Sequence, residues 1–435
     1  MTTDLAAFAK ERGVKYFMIS YTDLFGGQRA KLVPAQAIAE ISADGAGFAG
    51  FATWLDMTPA DADMLAVPVP ETAIQLPWKP EVAWVAATLV MEGEEVAQAP
   101  RNVLKALTEK AAAKGMVMKT GIEAEFFLLT PEGTAVSDGA DTAEKPCYDQ
   151  QALMRRYEII AEICDAMLAL GWEPYQCDHE DANGQFEMNF GFADAMTTAD
   201  RHSFFKFMVK SVAEAHGFRA TFMPKPLPGL TGNGCHAHIS LWDSASGENL
   251  FLDKGAELGM SQAARAFLGG LVTHAPALSA LTNPTVNSYK RLNAPVTTSG
   301  ATWAPNTITW AGNNRTHMVR IPGPGRMELR LADGAANPYL LQAALLAAGL
   351  LGMEEGADPG PKRTNDMYAE PEKAADAAKL PLNLLDAIRA FEADEGLTEA
   401  IGPAFSTAYA RLKRKEWASY MAHFSVWERE HTLDI

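Results

Sequence analysis

The sequence predicts an α+β protein in two parts: a small strand-rich domain over residues 1–100, then a larger domain over 101–435 in which strands and helices alternate. Three observations predict it. Residues 14–34, VKYFMISYTDLFGGQRAKLVP, read as two strands around a Phe-Gly-Gly turn. Pro100 opens RNVLKALTEKAAAKG, where apolar positions 103, 104 and 107 and the closing Gly115 mark a helix and its stop. Beyond it, strand-patterned and helix-patterned stretches follow one another.

The elements follow in order. Residues 41–80 are rich in Gly, Pro and Asp and read as long loops, whereas 81–91, EVAWVAATLVM, form an apolar strand. Residues 116–130 read as one strand, 131–146 as a polar loop and 150–170 as a helix ending at Gly171. A hairpin over 175–192 precedes a helix over 194–216. HAHISLW is a short strand, and 261–275 is another helix. The acidic, Pro-containing stretch 354–378 reads as an exposed excursion.

Composition narrows the function. The 435 residues are 48% hydrophobic and 21% charged, enough for a large core. A net charge of -17 argues against nucleic acid or an anionic membrane as partner. Cys147, Cys164, Cys177 and Cys235 show no C-x-x-C spacing and suit a reducing compartment. MTTDLAAFAKERG lacks the pattern of a signal peptide, and no apolar run reaches the roughly 18 residues of a membrane span. The expectation is a soluble cytoplasmic protein.

Chemistry concentrates in four stretches. In GIEAEFF, Glu123 and Glu125 share a face of the expected strand, among apolar neighbours; they form either a solvated edge or a buried pair that needs a counter-charge. CDHEDANGQFEMNF carries the Asn183-Gly184 turn signal, and a two-residue turn there sets Glu180 opposite Glu187. Like charges so placed repel unless a cation lies between them. In GNGCHAHIS, His236 and His238 alternate on one face, as ligands of a metal or phosphate or as ordinary core histidines. In RMELR, Arg326, Glu328 and Arg330 share a face, which suits either a salt-bridge ladder or a site for both metal and phosphate. Arg291, Arg315 and Arg320 add further cations. Together these point to metal-assisted phosphoryl transfer, and the P-loop and protein-kinase motifs are both missing.

These stretches, with NPTVNSYKRL (283–292), NNRTHMVRIP (313–322), GRMELRLADGAANPY (325–339), TDLFGGQRAKLVP and AKLPLNLLDAI (378–388), resemble the glutamine synthetase family over nearly the whole chain. The resemblance implies an N-terminal β-grasp-like domain and a catalytic domain of curved antiparallel strands with surrounding helices. It also implies a homo-oligomer of stacked rings, commonly a dodecamer, with each active site shared between neighbouring subunits. By motif match, Glu125, Glu180 and Glu187 hold one divalent ion (Mg2+ or Mn2+), and Glu123, His236 and Glu328 a second. His238, Ser240, Arg320, Arg326 and Phe192 contact ATP. Arg291, helped by backbone near Gly232, holds the glutamate α-carboxylate, and Arg315 and Arg330 stabilise the phosphate in flight. ATP would turn the glutamate γ-carboxylate into an acyl phosphate, which an amine then displaces.

The sequence departs from the ammonia-using pattern at its amine pocket. The loop GATWAPNTITWAGNNR places Trp303 where those members carry a glutamate, and GAGFAGFATW places Ala49, followed by Gly50 and Phe51, where they carry an aspartate. Thr231 replaces an asparagine expected at glutamate. Trp303 is thus either a loop anchor or a wall of the pocket. An apolar, aromatic wall suits a small alkylammonium better than ammonium, so the sequence looks most like members that join glutamate to methylamine. Asp178, sharing a strand face with Glu180, is the candidate proton acceptor, with Tyr148 beside the amine. Ammonia-using synthesis, ligation of another small amine and a non-catalytic relative are the other readings. Tyr368 in DMYAEPE resembles, with weakly matching flanks, a tyrosine that is adenylylated in some bacterial members.

Overall fold

The computed structural model describes residues 4–295 and 297–435, so the first three residues of the N-terminal stretch lie outside it. The Phe-Gly-Gly turn joins β1 (Tyr16–Thr22) to β2 (Gln28–Pro34) in antiparallel register, Tyr16 opposite Pro34. The turn forms because the Asp23 carboxylate accepts the backbone N–H of Phe25 and Gly27 at 3.1 and 2.9 Å, an Asx-type closure. The stretch 41–80 is more ordered than its composition suggests. It contains β3 (Ala46–Phe48), β4 (Met64–Pro68) and β5 (Ile74–Gln75). All are short, and β4 and β5 are held by the long apolar β6 (Val82–Met91), which also pairs with β7 (Glu94–Glu95). The sheet runs β2-β1-β6-β4-β3, with β1 and β6 parallel.

The second part opens with the helix Pro100–Ala113, as its proline and periodicity indicate. The expected single strand 116–130 is two strands, β8 (Met116–Ala124) and β9 (Phe126–Leu129), broken at Glu125. The break sends the halves into different sheets. β9 joins the hairpin strands β10 (Gln176–His179) and β11 (Gln185–Asn189), and β13 (Arg219–Thr221), in the order β10-β11-β9-β13. β8 joins β12 (Ala193–Asp194), β14 (Cys235–Asp243), β15 (Trp310–Ala311), β16 (Val319–Gly323) and β17 (Arg326–Leu329), in the order β12-β8-β14-β17-β16-β15. Every pair in this sheet is antiparallel except β15–β16, which is parallel. The helix expected over 150–170 divides at Arg156 into Gln150–Arg155 and Tyr157–Ala169.

Helices cover these sheets. Pro338–Glu355, capped by the Asn337 side chain and ended by left-handed Gly356, is buried on nearly all sides. It packs on Gln262–Thr273 where Gly270 and Gly352 let the two backbones meet; a Cβ at either position would strike the other helix. One continuous core runs from Leu5 to Leu412. No helix among the described residues is long and apolar enough to cross a membrane.

Candidate active site

A cavity of about 1120 Å³ opens between the two sheets of the second part. Its lining includes Glu123, Glu125, Glu180, Glu187, His236, His238 and Glu328, and also Asp178, Arg291, Trp303, Arg315, Arg320, Arg326 and Arg330. Tyr148, Phe192, Gly232 and Ser240 line it as well, so every residue singled out for catalysis, substrate, nucleotide or metal reaches one space. Ala49 does not line the cavity of its own chain.

The strand break at Glu125 builds the floor. Glu123, still on β8, accepts from His238 Nε2 at 3.0 Å and lies 3.5 Å from His236 Nδ1. Glu125, at the kink, accepts Gly234 N–H at 2.7 Å and Gln185 Nε2 at 3.0 Å. A Cβ on Gly234 would lie 2.9 Å from Glu125 Oε1 and 2.8 Å from His236 Nε2, so any larger residue would have to push both of these side-chain ends aside.

The hairpin register differs from the two-residue reading. Asp178, not Glu180, faces Glu187, and Glu180 N–H donates to the Gln185 carbonyl. The turn is four residues long because Asp141, from the polar loop, accepts from Asn183 Nδ2 at 2.9 Å and from Gly184 N–H at 2.6 Å. A shift of two residues keeps every side chain on its original face, so Asp178, Glu180 and Glu187 still converge on the cavity.

Two charge environments result. Burial opposes ionisation of Glu123, but the two histidines prevail and hold its carboxyl well below the usual range. Burial, reinforced by neighbouring carboxylates, pushes Glu180 and Glu187 well above theirs and raises Asp178 too. Two triads bring their ligand atoms within 4.8 Å of one another: Glu123, Glu187 and His236; and Glu123, His238 and Glu328. His236 Nε2 is buried with no hydrogen-bond partner among the described residues. Oxygen donors with an unpaired imidazole nitrogen fit one or more divalent ions. These triads contain four of the six expected ligands, Glu123, Glu187, His236 and Glu328, plus His238, with Glu123 shared; Glu125 and Glu180 line the same cavity but belong to neither triad.

Arginines surround this acid centre. Glu328, 0% exposed, is gripped by Arg320 Nη1 at 2.8 Å and by Arg330 Nη1. Burial opposes its ionisation, yet Arg330 and the histidines keep its carboxyl below the ordinary value. Arg291 is buried, donating through Nη1 to the Leu331 carbonyl at 3.1 Å. Gly232 permits its approach, because a Cβ there would overlap the Pro224 carbonyl oxygen and touch Arg291 Cγ. Arg315 and Arg326 stand exposed at the rim.

At the Phe192 and Ser240 end of the cavity the structure adds groups that the sequence alone did not single out. Trp242 stacks on Phe192, with ring centroids 6.5 Å apart, donates to Ser240 Oγ at 2.8 Å and carries Lys119 Nζ 4.1 Å from its ring centre. The signal was present, since His236, His238, Ser240 and Trp242 are successive alternate positions of one strand. Asp181 and Gln185 were missed because their roles depend on partners far away in sequence.

Trp303 lines the cavity with left-handed backbone, φ 53°, and its buried indole Nε1 has no partner among the described residues. Such a conformation is costly for a large side chain and is held only by its surroundings. Tyr148 also has positive φ and is 71% exposed at the cavity edge. Thr231 donates to Asp181 Oδ2 at 2.7 Å. The Tyr368 hydroxyl faces the Thr302 side chain and the Trp303 backbone.

Comparison with known proteins agrees with this architecture. Residues 97–432 match the family described as glutamine synthetase, catalytic domain. The glutamine synthetase of Rhizobium leguminosarum bv. phaseoli is 68% identical over 435 residues, all of both chains. The glutamate–methylamine ligase of Methyloversatilis universalis is 43% identical over 437 residues, with 98% of each chain covered. A solved GmaS/ADP complex has a TM-score of 0.96 at 64% identity, with both chains fully covered. Likeness of this degree along the full chain makes it a member of the glutamine synthetase family.

Proposed function

We propose that this chain is an ATP-dependent ligase that activates glutamate as γ-glutamyl phosphate and joins it to methylamine, giving γ-glutamylmethylamide, ADP and phosphate. The observation that carries the amine assignment is Trp303: an aromatic wall of the cavity, in strained backbone, where the resemblance has a loop glutamate. The named ligase of Methyloversatilis and the GmaS structure support it.

In this reading Arg291 holds the glutamate α-carboxylate, with Gly232 keeping the approach open. Phe192, Trp242, Ser240, His238, Arg320 and Arg326 receive the nucleotide. Glu125, Glu180 and Glu187, and Glu123, His236 and Glu328, hold divalent ions, Mg2+ or Mn2+, which supply charge neutralisation to the phosphate oxygens when bound. The γ-carboxylate oxygen attacks the γ-phosphorus of ATP, ADP departs, and Arg315 and Arg330 stabilise the transferring group. The amine nitrogen then attacks the acyl carbon, phosphate leaves, and Asp178 takes the amine proton. Its upward-shifted carboxyl brings it nearer the range useful for a base. Tyr148, at the cavity edge, would help to bind the amine. The active enzyme is a homo-oligomer, a dodecamer of stacked hexamers, in which Ala49 serves a neighbour's pocket.

Burying one methyl group contributes about 0.8 kcal/mol, and a desolvated cation–π contact about 0.5–2 kcal/mol. Together they favour methylamine over ammonia by roughly 10- to 100-fold. ATP-dependent phosphate release across ammonia, methylamine, ethylamine, ethanolamine and putrescine tests this. A kcat/KM for ammonia equal to that for methylamine would overturn it. The second reading, glutamine synthesis from ammonia, draws on the names of the Rhizobium relatives, which are 68% and 66% identical.

A further inference from the structure

The Trp303 loop is tied to the hairpin turn by a single carboxylate. Asp181 sits in the turn between β10 and β11, next to Glu180, and itself lines the cavity. Its Oδ2 accepts the Thr231 hydroxyl at 2.7 Å and the Ser299 hydroxyl. Ser299 is joined to Thr297 Oγ1 at 3.2 Å, and Thr297 donates to the Ala301 carbonyl. Thr298 N–H donates to the Gly229 carbonyl at 2.9 Å. Residues 297–301 are thus fastened to the hairpin turn and to the 229–231 segment, and Trp303 follows two residues later. The tie must oppose a real cost, because Trp303 keeps φ at 53° and leaves its indole N–H unpartnered among the described residues. Hydroxyl donors to an ionised carboxylate are stronger than neutral pairs, which suits them to hold such a conformation.

We propose that Asp181 is a positioning residue for amine selection: through Thr231 and Ser299 it holds the Trp303 loop so that the indole closes one side of the amine pocket. The proposal rests on the reading of Trp303 as the pocket wall. Thr231 thereby has a role of its own, as the second donor to that carboxylate rather than as a contact to glutamate.

The test uses the full assembled enzyme with Asp181→Ala, Ser299→Ala and Thr231→Val, the last two sparing the turn beside Glu180. Each should raise the methylamine KM by at least about 10-fold, the scale of one charge-assisted hydrogen bond, and move the methylamine-to-ammonia ratio of kcat/KM towards ammonia. Peptides spanning 297–304 should exchange amide hydrogens faster, and Ser299→Thr should restore the parent ratio. ATP KM and Mn2+ affinity should stay at parent values. Unchanged ratios in Ser299→Ala and Thr231→Val overturn the proposal. So does an equal loss with both amines accompanied by weaker Mn2+ binding, which would assign Asp181 to the metal centre. Trp303→Ala separates the two layers. If it leaves the amine ratio unchanged, the wall reading falls and the proposal with it. If it shifts the ratio while the tie variants do not, only the tie is refuted.

Discussion

Glu187→Gln removes one negative charge from the cavity floor while keeping side-chain size. Glu187 is 6% exposed, and its ligand atom lies within 4.8 Å of those of Glu123 and His236. Two unit charges at that spacing repel by about 3.5 kcal/mol at an effective dielectric of 20. Burial, together with Glu123 and Glu180, pushes the Glu187 carboxyl well above its ordinary value. The folded state therefore binds more protons than the unfolded one, and metal-free stability falls as pH rises above the ordinary glutamate value of about 4.3. In EDTA at pH 7.5, Glu187→Gln should be more stable than the parent by about 1–3 kcal/mol, the part of the repulsion not already relieved by protonation. The gap should narrow towards about pH 4.5. A divalent ion at about 100 times its Kd stabilises the parent by about 2.7 kcal/mol, and the variant should lose most of that gain along with turnover. Urea unfolding of both proteins at two pH values, with EDTA or Mg2+, measures all three effects. A variant less stable than the parent in EDTA at pH 7.5, yet equally stabilised by Mg2+, would refute the assignment of Glu187 to a cation.

Four further outcomes follow from the site. Asp178→Asn should lower kcat by roughly 100-fold and remove the acidic limb of the rate profile, which should lie above the ordinary aspartate range because the carboxyl is raised; a higher methylamine KM with kcat intact would make Asp178 a binding group. Gly232→Ala should raise the glutamate KM sharply through displacement of Arg291, measured by initial rates at saturating ATP, whereas parent-like kinetics would show that the 229–234 turn yields. Glu180→Ala should abolish turnover while gel filtration shows the assembly intact; full activity at modest Mg2+ would remove Glu180 from the metal set. Trp303→Glu combined with Ala49→Asp should favour ammonia over methylamine in competition, and an unchanged product ratio would reduce Trp303 to a loop anchor.

The parts of the site legible in the sequence were those governed by local alternation. His236 and His238 on one face of β14, with Ala237 and Ile239 buried on the other, needed only the period of a strand. So did Glu328 between its arginines. What stayed hidden depended on distant partners. The hairpin turn grew from two residues to four because Asp141 fastens Asn183 and Gly184 from about forty positions upstream. β8 and β9 separate at Glu125 because Gly234 and Gln185 claim its carboxylate and Gly234 its backbone. β4, only MLAVP, becomes a strand because Leu65 finds Val90 across the chain. Pairing energy that arrives from elsewhere leaves no trace in local composition.

The seam near residue 100 is knit rather than hinged. Thr22 and Gln28 reach Ser203 from the N-terminal sheet, Asn337 Nδ2 donates to the Asp23 carbonyl at 2.8 Å, and Trp78 and Trp84 pack on Phe204. Just beyond the seam, Arg101 forks onto Asp200, which also accepts from Tyr339. Residue 97, where the match to the catalytic-domain family begins, is thus not a line of mechanical weakness. A fragment of residues 97–432 would strip Trp78 and Trp84 from Phe204 and remove the partners of Ser203 Oγ and Asn337 Nδ2, and it should aggregate when expressed alone. The two halves are expected to unfold as one cooperative unit, so native-state hydrogen exchange should give β1, β6 and the Ala195–Ala215 helix a common opening free energy.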